Sequence, residues 1–359
     1  MDFGLSEEQL LLQQTVDRFL VEECPSTRLH EIFDGDEAVD ESLWRGMIGL
    51  GLGGLTIPER HGGVGLGLID LALVSETLGR RAAPGPFLGH ALAGVAIALG
   101  GNEEQRGRWL PAMAAGRCLG TVALAEAGGR WDPAHWQARV DGGRVTGAKP
   151  WVPCASVADL LVVGVEGGGF ALVERTAAGV EIAAVDGVDR TRRLDDVTLE
   201  SARCEVLERG RDVGARVRDA GLCLVAADAF GGATRCIEMA VDHAKTREQF
   251  GVTIGHFQAI KHRLATMSVE VEPSRALFWY AAHAWDAVPA DRERAASLAK
   301  AHITDRFMQT ARDAVEIHGG MGFTWEGDMQ IWLKRAMFDR MFLGSPAAHR
   351  ERVARVSGW

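Results

Sequence analysis

Apolar residues recur at helical spacing from Leu5 to about Cys118, as in Leu10, Leu11, Val16, Phe19 and Leu20, and again in Ile69, Leu71, Leu73, Val74 and Leu78. Ser6 ahead of Glu7, Glu8 and Gln9 supplies a hydroxyl cap with acids on the positive end of a helix. Ile57-Pro58, His61-Gly62-Gly63 and Ala83-Pro84-Gly85-Pro86 punctuate this zone, so it predicts several helices. From about Leu119 to Glu208 the texture changes. Short runs such as Leu160-Leu161-Val162-Val163 and Phe170-Ala171-Leu172-Val173 alternate with turns at Asp141-Gly142-Gly143 and Asp186-Gly187, which predicts a small antiparallel β domain. Helical periodicity then returns over about 211–247, 256–285, 290–317 and 328–342, a pattern that predicts a four-helix bundle. The chain therefore reads as α+β, with a helical domain over 1–118, a β domain over 119–208 and a helical bundle over 209–359.

Composition narrows the function. The 359 residues are 47% hydrophobic and 25% charged, an ordinary globular balance. A formal charge of −10 argues against a nucleic-acid surface. Five lysines stand against 34 arginines, beside 44 glycines, which is the coding bias of a high-GC genome rather than a binding signature. Cys24, Cys118, Cys154, Cys204, Cys223 and Cys236 include no pair at metal-ligand spacing, so no metal site is expected and buried thiols in a reducing compartment are. The opening Met-Asp-Phe-Gly-Leu-Ser lacks the basic and apolar segments of a leader. No run was expected to approach the ~18 apolar residues of a membrane span. A cytoplasmic chain with no membrane partner is the expectation.

Six local motifs then occur in order. They are Met1-Asp2-Phe3 with Glu7-Glu8-Gln9; Gly49-Leu50 with Pro58-Glu59 and Gly62-Gly63-Val64-Gly65; Glu103-Glu104-Gln105 with Trp109-Leu110-Pro111; Gly147-Ala148-Lys149-Pro150-Trp151-Val152; Arg247-Glu248-Gln249-Phe250-Gly251; and Ile317-His318-Gly319-Gly320-Met321-Gly322-Phe323. With the domain order, this series resembles the acyl-CoA dehydrogenase family over essentially the whole chain. The resemblance implies a tetrameric assembly, an FAD cofactor and α,β-dehydrogenation of an acyl-CoA thioester. That chemistry needs a carboxylate at the α-proton and a flavin ring to take the β-hydride.

The base is missing from both places where the resemblance puts it. Near the C-terminus the stretch reads Phe342-Leu343-Gly344-Ser345, with Leu343 at the base position. The alternative position, 26 residues before Arg247, holds Gly221. A register slip would make Asp219 the fallback base, although its place better matches an Asp the family uses near the CoA pantetheine. The flavin motifs split in two. Where the family has Thr-Glu-Pro-Gly-x-Gly-Ser-Asp, this chain has Ala125-Glu126-Ala127-Gly128-Gly129-Arg130-Trp131-Asp132. The family's Trp-Ile-Thr becomes Trp151-Val152-Pro153, Ser345 keeps a hydroxyl, and the usual Gln two residues on is Ala347. The half that reaches a neighbour's cofactor is kept: Arg247, Gln249, Phe250, Ile254, Ile260, Gly319 and Gly320, with Glu316 where Gln is common. Taken singly, Arg247 as a helix cap and Phe250 as a core residue is the simpler reading; the retained set favours function.

The resemblance is strongest to the non-catalytic subunit of the α2β2 acyl-CoA dehydrogenases of actinobacterial sterol side-chain degradation. It implies FAD shared with a homologous catalytic subunit, acyl-CoA (including steroid side-chain CoA esters) bound by the complex, and an electron-transferring flavoprotein as acceptor. The isolated chain is then not an enzyme, while the complex is. Two alternatives stay open: a self-sufficient dehydrogenase using Asp219 or Glu126 as base, and a cofactor-free binding or scaffold protein.

Overall fold

The computed structural model describes residues 4–208 and 210–359, and of Arg211 only the backbone; Met1-Asp2-Phe3 of the first motif and Arg209 lie outside the described residues. Six helices come first: α1 (Glu7–Glu23), α2 (Ser26–Asp34), α3 (Glu41–Gly49), α4 (Leu68–Arg80), α5 (Phe87–Gly100) and α6 (Glu103–Ala114). Ser6 starts α1 with a full capping box: its Oγ accepts from Gln9 N at 3.2 Å, and Gln9 Oε1 accepts from Ser6 N at 3.0 Å.

The strands follow as β1 (Gly120–Ala123), β2 (Arg139–Asp141), β3 (Arg144–Pro153), β4 (Leu160–Val165), β5 (Gly169–Glu174), β6 (Val180–Val185), β7 (Leu194–Arg203) and β8 (Glu205–Val206). They form two four-stranded sheets, ordered β1-β4-β5-β8 and β2-β3-β7-β6. The expectation of a purely antiparallel domain needs one correction, since β1 pairs with β4 in parallel, Gly120 opposite Leu160. Every residue of β4 is buried, and its unbroken apolar run suits a strand covered on both faces. Val145, Val152, Leu161, Val163, Val173, Val197 and Leu199 belong to the core between these strands.

The C-terminal elements are α7 (Arg211–Thr246), β9 (Glu248–Gln249), β10 (Val252–Thr253), α8 (Gln258–Val271), α9 (Ser274–Ala287), α10 (Arg292–His318), α11 (Met329–Met341) and α12 (Pro346–Val356). The predicted helix over 256–285 is two helices, because Pro273 cannot continue the ladder of α8 and instead sits at the N-cap of α9. The sequence reading also stopped short of α12. A further correction concerns α7, which contains a stretch long and apolar enough to cross a membrane; 83% of it is buried, so its apolar side chains are used in internal packing.

By contacts the chain falls into two compact units. One comprises residues up to Glu31, Ala72–Ala83 and Leu222–Trp359, and the other Ile32–Leu71 and Pro84–Gly221. In the first, α4 and α7 cross at glycines: a Cβ on Gly79 would strike the Asp228 backbone, and one on Gly231 the Glu76 backbone. Arg335 of α11 then grips Asp228 of α7 through two bonds of 2.8 and 2.9 Å, both side chains buried. In the second unit, buried His90 of α5 receives Gly120 N–H on Nδ1 at 3.3 Å, and its Nε2 lies 3.1 Å from the Gly53 carbonyl. All six cysteines are buried, and none is in a disulfide among the described residues.

Candidate functional site

Leu343 follows the last turn of α11 with φ +61 and is 1% exposed. Its turn is clamped from two helices. Lys300 Nζ of α10 donates to the carbonyls of Arg340, at 2.9 Å, and of Gly344, while His349 Nε2 of α12 meets the Leu343 carbonyl at 3.0 Å. Ser345 Oγ caps α12 by accepting from Ala348 N at 3.3 Å, so this hydroxyl, expected at a flavin, serves a helix end. Nothing in Leu343 can hold a proton, and Gly221 lies buried inside α7.

The two alternative bases are already engaged. Asp219 is fully buried and takes Arg218 Nε at 2.9 Å, while Arg218 reaches Asp132 at 3.5 Å. Glu126 takes Lys149 Nζ at 2.5 Å and Gln137 N at 2.7 Å, with both members of the ion pair buried. Burial pulls Lys149 below the usual lysine range and the contact with Glu126 opposes it. Removing either partner of such a pair would leave a buried charge alone, so Glu126 works as structure.

The ring-binding face departs further from expectation. A bulge between Lys149 and Val152 turns Trp151 to φ +57, and its N–H bonds Asp196 Oδ1 at 3.1 Å. Trp151 is stacked by Trp131, the centroids 6.0 Å apart and the planes 25° from parallel. The tight turn that delivers Trp131 uses Gly128 and Gly129, both at positive φ, and closes with Glu126 N bonding the Arg130 carbonyl at 2.9 Å. Ala125 is fully buried and Pro153 offers only a carbonyl, which accepts from Thr121 Oγ1 at 2.6 Å. The Trp proposed as a flavin contact thus stacks on an indole of its own chain, and the hydroxyl donors around it are gone.

The bundle side is built the opposite way. β9 and β10 form a hairpin through Phe250-Gly251, with φ of +55 and +80, a type I′ turn that favours Asn-Gly. Phe250 therefore sits in the left-handed region, costly for a bulky residue. It is 92% exposed, and its ring meets Phe257 edge-on, the centroids 6.0 Å apart. The core reading of Phe250 is excluded. Arg247, one turn after His243 on α7, is exposed; its carbonyl closes the hairpin to Ile254 N at 2.8 Å, and its side chain has no hydrogen bond or ion pair among the described residues. Exposed Gln249 bonds the Glu248 carbonyl, while Ile254 and Ile260 are half-buried beneath the hairpin's exit. Exposed Glu316 lies 3.6 Å from Arg263, which also approaches Asp313 at 3.4 Å.

Gly319 ends α10 at φ +63, and a Cβ on Gly319 or Gly320 would meet nothing within 4 Å. The backbone conformation alone accounts for Gly319, and no atom among the described residues requires Gly320 to be glycine. The ends of α7 and α10 are joined by His243 and His318, stacked 4.4 Å apart at 21°. That contact brings Arg247 and Gly319 to one surface.

Known proteins share this fold. The chain matches the acyl-CoA dehydrogenase N-terminal domain over residues 6–117 and the acyl-CoA dehydrogenase C-terminal domain over residues 220–358. Acyl-CoA dehydrogenase IpdE2 of Mycobacterium tuberculosis is 32% identical over 341 residues, covering 95% of this chain and 94% of that protein. The chain belongs to the acyl-CoA dehydrogenase family. Among solved structures, the G363A variant of the steroid acyl-CoA dehydrogenase Tcur3481-Tcur3483 superposes with a TM-score of 0.91 at 30% identity, over 98% of both chains. The ChsE4-ChsE5 complex of Mycobacterium tuberculosis does so at 0.89 and 26%, over 99% of this chain and 98% of that one. Acyl-CoA dehydrogenases normally bind FAD. Against that family pattern the sequence reading missed the Trp131–Trp151 stack, the Lys300 clamp and the histidine pair. The only local signal was His243 standing four residues before Arg247, on the same helical face.

Proposed function

We propose that this chain is the non-catalytic subunit of a heteromeric acyl-CoA dehydrogenase, completing the FAD site of a homologous catalytic partner while holding no flavin of its own. The observation that carries the reading is Phe250, a strained, almost fully exposed aromatic three residues from Arg247, whose guanidinium has no hydrogen bond or ion pair among the described residues. A surface built this way lacks its complement within the chain. The fit to FAD is uneven in the matching sense. Arg247 offers a planar fork for phosphate oxygens, Phe250 offers a ring face or edge, and the open backbone at Gly319-Gly320 allows close approach. The opposite half, with Trp131 on Trp151 and Ala125 and Pro153 in place of hydroxyls, does not fit a flavin ring.

When bound, FAD supplies the hydride acceptor for α,β-dehydrogenation of an acyl-CoA thioester, and the base comes from the partner. This chain's residues bind and orient: Arg247 neutralises phosphate charge, Phe250 excludes water, and Leu343 keeps an apolar side chain where no proton is exchanged. The steroid acyl-CoA dehydrogenase among the similar structures supports a steroid side-chain CoA ester as substrate, and the acceptor implied by the family resemblance is an electron-transferring flavoprotein. The test is expression of the chain alone and with its family-member partner. Colourless protein alone and FAD-loaded protein together are expected. Yellow protein alone would support the self-sufficient alternative, and colourless protein in both cases the scaffold.

A further inference from the structure

His243 and His318 stack without any acid between them. His318 Nδ1 lies 2.7 Å from the Ala314 carbonyl, which fixes the proton on that nitrogen and leaves Nε2 free; neither nitrogen of His243 has a hydrogen-bond partner among the described residues. The groups acting on His243 are burial, His318 and Arg247, and all three hold it below the ordinary histidine value. On the surrounding elements, Asp313 and Glu316 of α10 are engaged by Arg263 of α8. Among the described residues, no hydrogen bond or ion pair links Asp242 or Lys245 on α7, Glu248 on the hairpin, or Lys261 or His262 on α8 to the two rings. Three groups able to carry positive charge thus converge with no counter-charge of their own. An imidazolium on His243 would stand against the repulsion of His318 and Arg247, a repulsion that an anion of more than one charge would offset.

We propose that the His243–His318 pair and Arg247 form a proton-linked diphosphate site, which on the trans-flavin reading above grips the diphosphate of the partner-held dinucleotide. The linkage has a definite sign. A bound dianion favours the imidazolium, so binding takes up a proton and affinity rises as pH falls between the free and the bound value of His243. A shift of one unit between those values corresponds to a tenfold change in affinity.

The full-length chain titrated calorimetrically with inorganic pyrophosphate from pH 5.5 to 8.5 tests this, with wild type compared against His243→Phe and His243→Gln so that the ligand's own protonation cancels. Wild type should gain roughly tenfold over the variants on going from pH 8 to pH 6, with proton uptake detected by changing the buffer. His243→Phe, which keeps the ring stack, should be flat relative to wild type, and Arg247→Ala should weaken binding at every pH. Parallel profiles for wild type and both His243 variants, or no pyrophosphate binding at all, would overturn the proposal. FAD retention in the co-purified complex separates it from the reading it rests on. Proton-linked pyrophosphate binding with FAD retention unmoved by Arg247→Ala keeps the anion site and removes the trans-flavin role. FAD loss in Arg247→Ala with parallel pyrophosphate profiles does the reverse.

Discussion

Trp151, Phe250 and Leu343 each hold a positive φ that side chains of their size avoid, and each stands where the sequence resemblance leads one to expect a cofactor contact or a base. Strain at three such positions marks where local preference has yielded to something else, yet the three have diverged in use. Trp151 stacks on Trp131, Phe250 is bare, and Leu343 is sealed behind the carbonyls held by Lys300 and His349. Leu343→Glu alone should therefore give no active dehydrogenase. The new carboxyl would be buried among apolar atoms, which favours its neutral form, and no electron sink would sit beside it in this chain. The check is turnover of medium-chain and steroid-like acyl-CoA thioesters with an artificial acceptor; activity with FAD bound in the isolated variant would refute the closed ring face. None of this was legible beyond the residue letters. The sequence shows that Ser has become Trp131, but not that the indole lands on Trp151, because that contact depends on a bulge in β3 and a two-glycine turn.

The β9–β10 hairpin opposes function to stability. Its I′ turn suits Asn-Gly, so Phe250→Asn should relieve left-handed strain and raise stability by about 1 kcal/mol while weakening FAD retention in the complex. Urea midpoints and flavin content measure the two effects; a variant that is both less stable and fully loaded would contradict the assignment. The turn after α11 carries a pH signature instead. Burial brings Lys300 down to about 7 from an ordinary 10.5. Between those values the unfolded chain binds a proton that the folded chain does not, so this group makes stability rise with pH, by up to ~1.4 kcal/mol per unit. Lys300→Met should flatten the difference in urea midpoint between pH 7 and 9; an unchanged slope would show that the amine is not buried as described. Elements with local signals were legible: the Ser6 capping box, the turns of the sheets and the long helices. Pairings were not, since the parallel match of β1 with β4 joins residues forty positions apart that no periodicity links. The break at Pro273 was legible and overlooked.

For the whole molecule, the order helices, sheets, helices followed from periodicity, and the family followed from six motifs in sequence. What periodicity cannot carry is incompleteness, because an exposed Phe250 and a buried one have the same letter. Exposed Met321, Phe323 and Trp325 extend that uncovered surface along the segment after α10. Apolar area of this kind calls for a partner, so no stable monomer is expected in solution. Light scattering with the partner present should give an assembly well above the 38.7 kDa of one chain, and a mass at that value would count against it. The most direct measurement is flavin content per chain in the co-purified complex, for wild type and Arg247→Ala. One FAD for every two chains in wild type, falling substantially in Arg247→Ala, is expected if this chain completes its partner's site and fills none of its own. One FAD for every chain, or full occupancy in Arg247→Ala, would contradict it.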